Sequence, residues 1–315
     1  MGTEQQTREQ MNAIGAGSKS MQETSDGTGR GSGRLRKIAI LVHPTRDVTP
    51  ALDALRAWSS RHDVEVMRLA SNPQENDPAI VGGCDLIVAI GGDGTTLAAL
   101  HASIDTGTPV FPIACGSLGI LTLASVEHLA AALDEIDRGE ARGRTIPKLE
   151  VACDSFERAA LNDLVLVRAA SGQVMLSVKI DGADYAAIAG DGIVVSTAGG
   201  SAAYTLASGG PLLHPDLDAL VITPLAAHGG NIPPVVLGSE TEVTLELVPG
   251  HDRVRLEIDG QPQPPPSAVT VIRLVPAAAS FMIPSVAAKF PSLLRARRLL
   301  ADSPRVGIGV ESQRG

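Results

Sequence analysis

The chain has 315 residues, 44% of them hydrophobic and 2% aromatic, and a formal net charge of -9. That is enough apolar material for a core spread over two domains, and an acidic balance with no basic stripe argues against nucleic acid as a partner. Phosphorylated small molecules stay open, because backbone N–H groups and metal ions hold phosphate whatever the net charge.

Residues 1–33 are polar and rich in Gly, Ser, Gln and Thr, too poor in apolar side chains to fold alone, so a disordered tail is expected. They hold no apolar signal-peptide core. No apolar run reaches the ~18 residues of a spanning helix, so a cytoplasmic protein without membrane contact is expected. Cys84, Cys115 and Cys153 form no CxxC pair; buried reduced thiols are expected rather than a zinc site or disulfides.

"RKIAILV" at 36–42 reads as a strand buried on both faces. Thr49 can cap a helix that starts on Pro50 and repeats Leu52, Leu55 and Trp58 at helical spacing. Trp58 is expected to close the surface of that helix. Further strands are predicted at 63–70, 85–90 and 108–114. Val126, Leu129, Ala130, Leu133 and Ile136 mark an amphipathic helix. Strands alternating with helices predict an α/β N-terminal domain with a parallel sheet over 34–139.

The texture changes near residue 140. Short segments such as "TEVTLELV" and "DRVRLEIDG" alternate between Gly, Pro and Asp turns. They predict a mostly antiparallel β C-terminal domain over 140–276 with one wet face. A last helix is predicted at 292–303, within a 277–315 segment returning to the first domain.

"IVAIGGDGTTLAAL" at 87–100 is a buried strand that runs into a glycine turn and then a helix. Gly91, Gly92 and Gly94 permit positive φ and close approach of a ligand, and the helix entry is a natural phosphate site. Asp93 repels phosphate, so it makes sense as a base for a hydroxyl or as a partner of Mg²⁺; as a bare turn it would only cap the helix. The segment is neither GxxxxGK[ST] nor GxGxxG, which excludes a P-loop and gives little support to a Rossmann oxidoreductase. Asn162–Asp163 precede a strand, either as ligand groups or as an Asx turn. Asp191, Ser201, Ala203 and Tyr204 lie in "DGIVVSTAGGSAAYTLASGGP", where one aromatic among small residues suits a flat ring or ordinary packing. His228 follows another strand end, where a lone His is more often structural. Asp259–Gly260 reads as a hairpin turn.

The ordered set of motifs resembles the NAD kinase family over about 36–300. GGDGT is Gly91–Thr95, "GSLGILT" is Gly116–Thr122, the Asn-Glu motif is Asn162–Asp163, and the substrate loop is Asp191–Pro211. "TPLAAHGGNIPPVVL" is Thr223–Leu237 and the closing DGQ is Asp259–Gln261. The resemblance implies a NAD kinase-like two-domain fold with the site between the domains. It also implies ATP, with Mg²⁺ carried by its phosphates, NAD as acceptor, and homodimers or homotetramers. It implies Asp93 as the base at the acceptor hydroxyl, nucleotide contacts from Gly91, Gly92, Gly94, Thr95, Ser201 and His228, and Asn162 and Asp163 at the adenosine. It places Tyr204 near a base, and Asp191 and Ala203 near the nicotinamide.

The chain departs from the family pattern at Ala198, Gly199 and Ala202, which remove two hydroxyls, and at Ala114, Asp163, Pro233 and His43. A pocket stripped of donors can prefer another molecule. The expected activity is phosphorylation of the 2'-hydroxyl of NAD. Alternatives are a kinase of another hydroxylated metabolite and a non-catalytic nucleotide-binding protein.

Overall fold

The structure, a computed structural model, describes residues 34–300 apart from 154, 251–252, 265 and 267–268. The expected tail at 1–33 and the end of the chain from 301 lie outside the described residues. Among the described residues no helix is long and apolar enough to cross a membrane.

Four short strands start the first sheet: β1 (Lys37–Val42), β2 (Glu65–Arg68), β3 (Leu86–Gly91) and β4 (Val110–Ala114). They run parallel in the order β4-β3-β1-β2. Their continuous apolar runs follow from burial on both faces. On one face Ile38, Ile40, Leu86 and Val88 meet helix α1 (Thr49–His62) and helix α4 (Leu129–Asp137). On the other, Ala39, Leu41, Ile87 and Ala89 meet α2 (Pro78–Gly82) and α3 (Asp93–Ser103).

The first sheet does not stop at the α/β part. The long strand β17 (Val269–Ile283) lies next to β4, aligning Phe281 with Val110, and continues into an antiparallel region. There it pairs with β6 (Arg142–Cys153) and β14 (Glu242–Leu247), and β9 (Val174–Ile180) and β10 (Ala183–Gly190) complete that edge. β5 (Ala124–Ser125) pairs with β4, and β7 (Phe156–Ala160) with β6.

A second, fully antiparallel sheet runs β13-β12-β11-β8-β15-β16. Its strands are β8 (Asp163–Arg168), β11 (Gly192–Thr197), β12 (Ala219–Leu225), β13 (Val235–Gly238), β15 (Val254–Ile258) and β16 (Gln261–Pro262). Leu164, Leu166, Ile193 and Val195 from this sheet pack against Leu149, Val151, Leu176, Leu245 and Ile272 of the first. The outer face is not wet throughout: β8 is buried from Asp163 to Val167, β11 along its whole length, and Val165, Val167, Val194 and Leu225 form a small outer cluster. The fold is therefore two-domain, with a mixed, mainly parallel N-terminal sheet region and an antiparallel C-terminal sheet.

Several local expectations are corrected. Trp58 does not close a surface; it is fully buried between α1 and α4, and its Nε1 donates to Asp134 at 2.7 Å. Thr49 does not cap α1: it is the first helical residue, and Asp47 Oδ1 takes its N–H at 3.0 Å. The last helix of the described residues, α6, spans Phe290–Ala296, so it begins before the predicted 292 and does not continue through 297–300; the predicted 301–303 lie outside the described residues. It ends in a Schellman turn, with Arg298 at φ 58 and Leu299 N–H donating to Leu294 O. Cys84 is a buried thiol, whereas Cys115 and Cys153 are half-buried.

Candidate active site

The first turn of α3 follows directly from the end of β3, and its geometry differs from the sequence expectation. Gly91, Gly92 and Gly94 all avoid positive φ. Their value is space. A Cβ at Gly91 would collide with Thr95 Oγ1, whereas Gly92 and Gly94 face open space. A ligand can thus reach the backbone at the α3 N-terminus, where the first N–H groups lack intrahelical partners. Thr95 itself is buried.

Asp93, the first residue of α3, makes no side-chain cap. Its carboxylate turns instead to the loop after β4, where Oδ2 accepts from Ile120 N–H at 3.1 Å and Oδ1 from Leu121 N–H at 2.9 Å. Gly119 permits this, since a Cβ there would collide with Asp93 Oδ1. Two donors on two oxygens fix the carboxylate's orientation and leave lone pairs for a further donor. The His43 departure is accommodated nearby, because its Nδ1 accepts N–H groups of Thr45 and Arg46, each at 3.2 Å. Arg46 then reaches Cys115 O at 3.1 Å.

Asn162 and Asp163 form the entry to β8. Both backbone N–H groups end on Asp259 Oδ1, at 2.7 and 3.0 Å, and Leu161 N–H ends on Asp259 Oδ2 at 2.8 Å. Asp259 is indeed in a tight turn, at φ 50 before Gly260 at φ 73, as the two-residue hairpin requires. Its side chain, however, is almost fully buried and also meets His101 Nε2 at 2.6 Å. The Asp163 side chain is buried as well. Burial, then the nearby Asp259 carboxylate, push its pKa up to about 7, against a weak opposing hydrogen bond from Tyr204 N–H.

The 197–204 loop rests on this segment. Thr197 donates its hydroxyl to Leu161 O at 2.8 Å, and its N–H to Asn162 O at 2.9 Å. Gly200 sits so close to Asn162 that a Cβ would overlap its carbonyl. Ser201, expected at the nucleotide, is fully buried; its hydroxyl donates to Ala198 O at 2.6 Å and accepts from Leu213 N–H at 2.9 Å. It holds the loop instead of facing solvent. Ala203 is exposed and Tyr204, which opens helix α5 (Tyr204–Ala207), is 44% exposed.

Tyr204 and Asp191 line one open cavity of about 480 Å³ together with Arg168 and Arg255, and Asp191 is paired with Arg168 Nε at 2.7 Å. A second cavity of about 400 Å³ brings Ile120 and Leu121 together with Gly199, Arg144, His214 and Lys289. His228 is exposed, and its backbone N–H donates to Ala189 O at 2.9 Å near Asp191. The structure thus links the Asp93 turn to the 119–121 loop and the Asn162 segment to the 197–204 loop, while Ser201 and the His228 side chain make no such link. Gly119 and His101 were not singled out by sequence reasoning. Gly119 lies inside the "GSLGILT" motif and was within reach. His101 carries no local signal.

The ATP-NAD kinase N-terminal domain family matches residues 52–141 and the ATP-NAD kinase C-terminal domain family matches residues 161–283. The chain is similar to the NAD kinase of Chloroflexus aggregans, at 32% identity over 234 residues, covering 72% of this chain and 84% of that one. It is 38% identical to the NAD kinase of Polaromonas naphthalenivorans over 183 residues, 56% of this chain and 63% of that one. Among solved structures, yeast NADH kinase complexed with NADH has a similar fold (TM-score 0.70, 21% identity, 85% of this chain and 88% of that chain). So does an NAD kinase from Archaeoglobus fulgidus in complex with ATP (TM-score 0.69, 23% identity, 84% and 100%). The chain belongs to the NAD kinase family.

Proposed function

We propose that the chain transfers the γ-phosphoryl group of ATP to the 2'-hydroxyl of the adenosine ribose of NAD, giving NADP and ADP. Its family makes it a phosphotransferase acting on a hydroxyl; the choice of NAD and of the 2' position is the finer reading. The observation that carries it is the Asp93 carboxylate, held by Ile120 and Leu121 N–H at the start of α3 and beside the open space at Gly92 and Gly94.

In this reading the 2'-oxygen attacks the γ-phosphorus as its proton passes to Asp93. The new O–P bond forms as the bond to the β-phosphate oxygen breaks, and ADP leaves. The proton then passes from Asp93 to water. Free N–H groups at the α3 N-terminus stabilise charge on the transferring group. Mg²⁺ held by the nucleotide phosphates would neutralise their charge. Asn162 and Asp163 receive the adenosine, and the Tyr204–Asp191 cavity the nicotinamide end. Assembly as a homodimer or homotetramer belongs to the same reading, and sedimentation equilibrium reads it.

The test is purified protein with ATP, Mg²⁺ and NAD, read by mass spectrometry beside Asp93→Asn. NADP from wild type, reduced on the order of 10²–10⁴-fold in the variant, supports the reading. A different phosphorylated product from a pooled metabolite extract would mean the hydroxyl-poor loop at Gly199 and Ala202 has re-aimed the pocket. No product from either protein overturns the kinase reading for these substrates.

A further inference from the structure

Asp259 is a buried carboxylate with four donors from two parts of the chain. Three are the consecutive N–H groups of residues 161–163, at 2.7 to 3.0 Å. The fourth is His101 Nε2, at 2.6 Å. The Asp259 side chain is 3% exposed and that of His101 26%. His101 is on α3, eight residues beyond Asp93, or about 12 Å along the helix axis. One carboxylate therefore joins the helix that begins with the reacting aspartate to the segment that presents Asn162 and Asp163. The apolar contact beneath it is consistent: Leu161 packs in the same cluster as Ala99 and Leu100 of α3. Apolar packing is non-directional and sets how closely the parts approach. A short hydrogen bond to a charged acceptor also sets their relative position along the contact.

We propose that His101 is a positioning residue for phosphoryl transfer, setting α3 and Asp93 against the acceptor-holding segment through Asp259. This rests on the reading of Asp93 as the base and of 162–163 as the acceptor site. The loss of His101 leaves Asp259 with its three backbone donors, so the 161–163 turn keeps its shape. What is lost is its alignment with Asp93. Misplacement of reacting groups by an ångström lowers turnover on the order of 10²-fold.

The experiment is steady-state kinetics of NADP formation by wild type, His101→Ala and His101→Gln, with melting temperatures of all three. Gln keeps an N–H donor near the position of His Nε2. For His101→Ala the expectation is a kcat lower by roughly 10–100-fold, with KM for NAD and ATP changed less than about threefold. For His101→Gln it is recovery of most of that kcat. Turnover by His101→Ala equal to wild type overturns the proposal and leaves the function reading intact. So does loss of kcat in both variants in proportion to a fall in melting temperature, which would make His101 structural support. Absence of NADP from wild type itself overturns the function reading, and this inference with it.

Discussion

Asp93 and Gly119 act as one unit. The carboxylate occupies the place a Gly119 side chain would take, and its orientation depends on the N–H groups just after that glycine. Gly119→Ala is therefore expected to displace the carboxylate. Turnover should fall at least as far as in Asp93→Asn, while overpacking costs on the order of 1–3 kcal/mol; kinetics beside a urea melt separate the two effects. Asp163 gives a pH signature. Its folded pKa of about 7 lies above the ordinary 3.8, so the fold binds this proton more tightly than the unfolded chain does. The stability this contributes is present at low pH and lost as pH rises from about 4 to 7. Asp163→Asn stays neutral, and relative to wild type it should gain roughly 2–4 kcal/mol between pH 4 and pH 8. Parallel urea stability curves for the two proteins across that range would refute the buried-carboxylate account. Asp93 was legible because an acid in a glycine turn at a strand end is chemically odd. The task of Asp259 was not, because "IDGQ" is a good hairpin turn by itself and the N–H groups it holds lie 96 to 98 residues away.

Among the elements, the parallel strands are the most readable. β1 and β3 are apolar along nearly their whole length because helices cover both faces. Helix pairing was less readable. Beside the apolar cluster they share, α1 and α4 are joined by the bond from Trp58 Nε1 to Asp134, 76 residues apart, and nothing near Trp58 announces that partner. Trp58→Phe loses the donor and leaves a cavity at a fully buried position, so it should cost roughly 1–3 kcal/mol; a thermal melt checks this, and an unchanged midpoint would mean that neither the bond nor the packing contributes. The 197–204 loop shows the opposite balance. By sequence its small residues suit the close approach of a flat ligand, yet Gly200 lies against the Asn162 backbone, where a side chain would collide. Thr197 donates its hydroxyl to Leu161 O and accepts from Gly200 N–H, and Ser201 donates its hydroxyl to Ala198 O. Gly199, one of the altered hydroxyl positions, lines a cavity with Ile120 and Leu121.

Across the whole molecule, β17 makes the two parts one body. It lies against β4 of the parallel region and against β6 and β14 of the antiparallel region. Phe281, Met282 and Ile283 then pack into the clusters that flank β1 to β4. A strand shared in this way couples the unfolding of both regions. Trp58, the only tryptophan, reports on the α/β part, while far-UV circular dichroism reports on both. The two signals are expected to trace one urea transition. Two separated midpoints would show that the parts unfold independently.

The sequence by itself determined the fold class, the main buried strands of the parallel region with the helices at 49–62 and 129–137, and the acidic glycine turn. Each of these depends on local periodicity, strand-length apolar runs or turn chemistry, which a short window contains. Only the tertiary structure decided that Asp93 is held by the 119–121 loop, that Asp259 gathers three backbone donors and His101, and that β17 bridges the two regions. Those arrangements join residues far apart in the chain. Their partners are selected by burial and hydrogen-bond satisfaction once the sheets have packed, and no window of sequence contains both halves of such a contact.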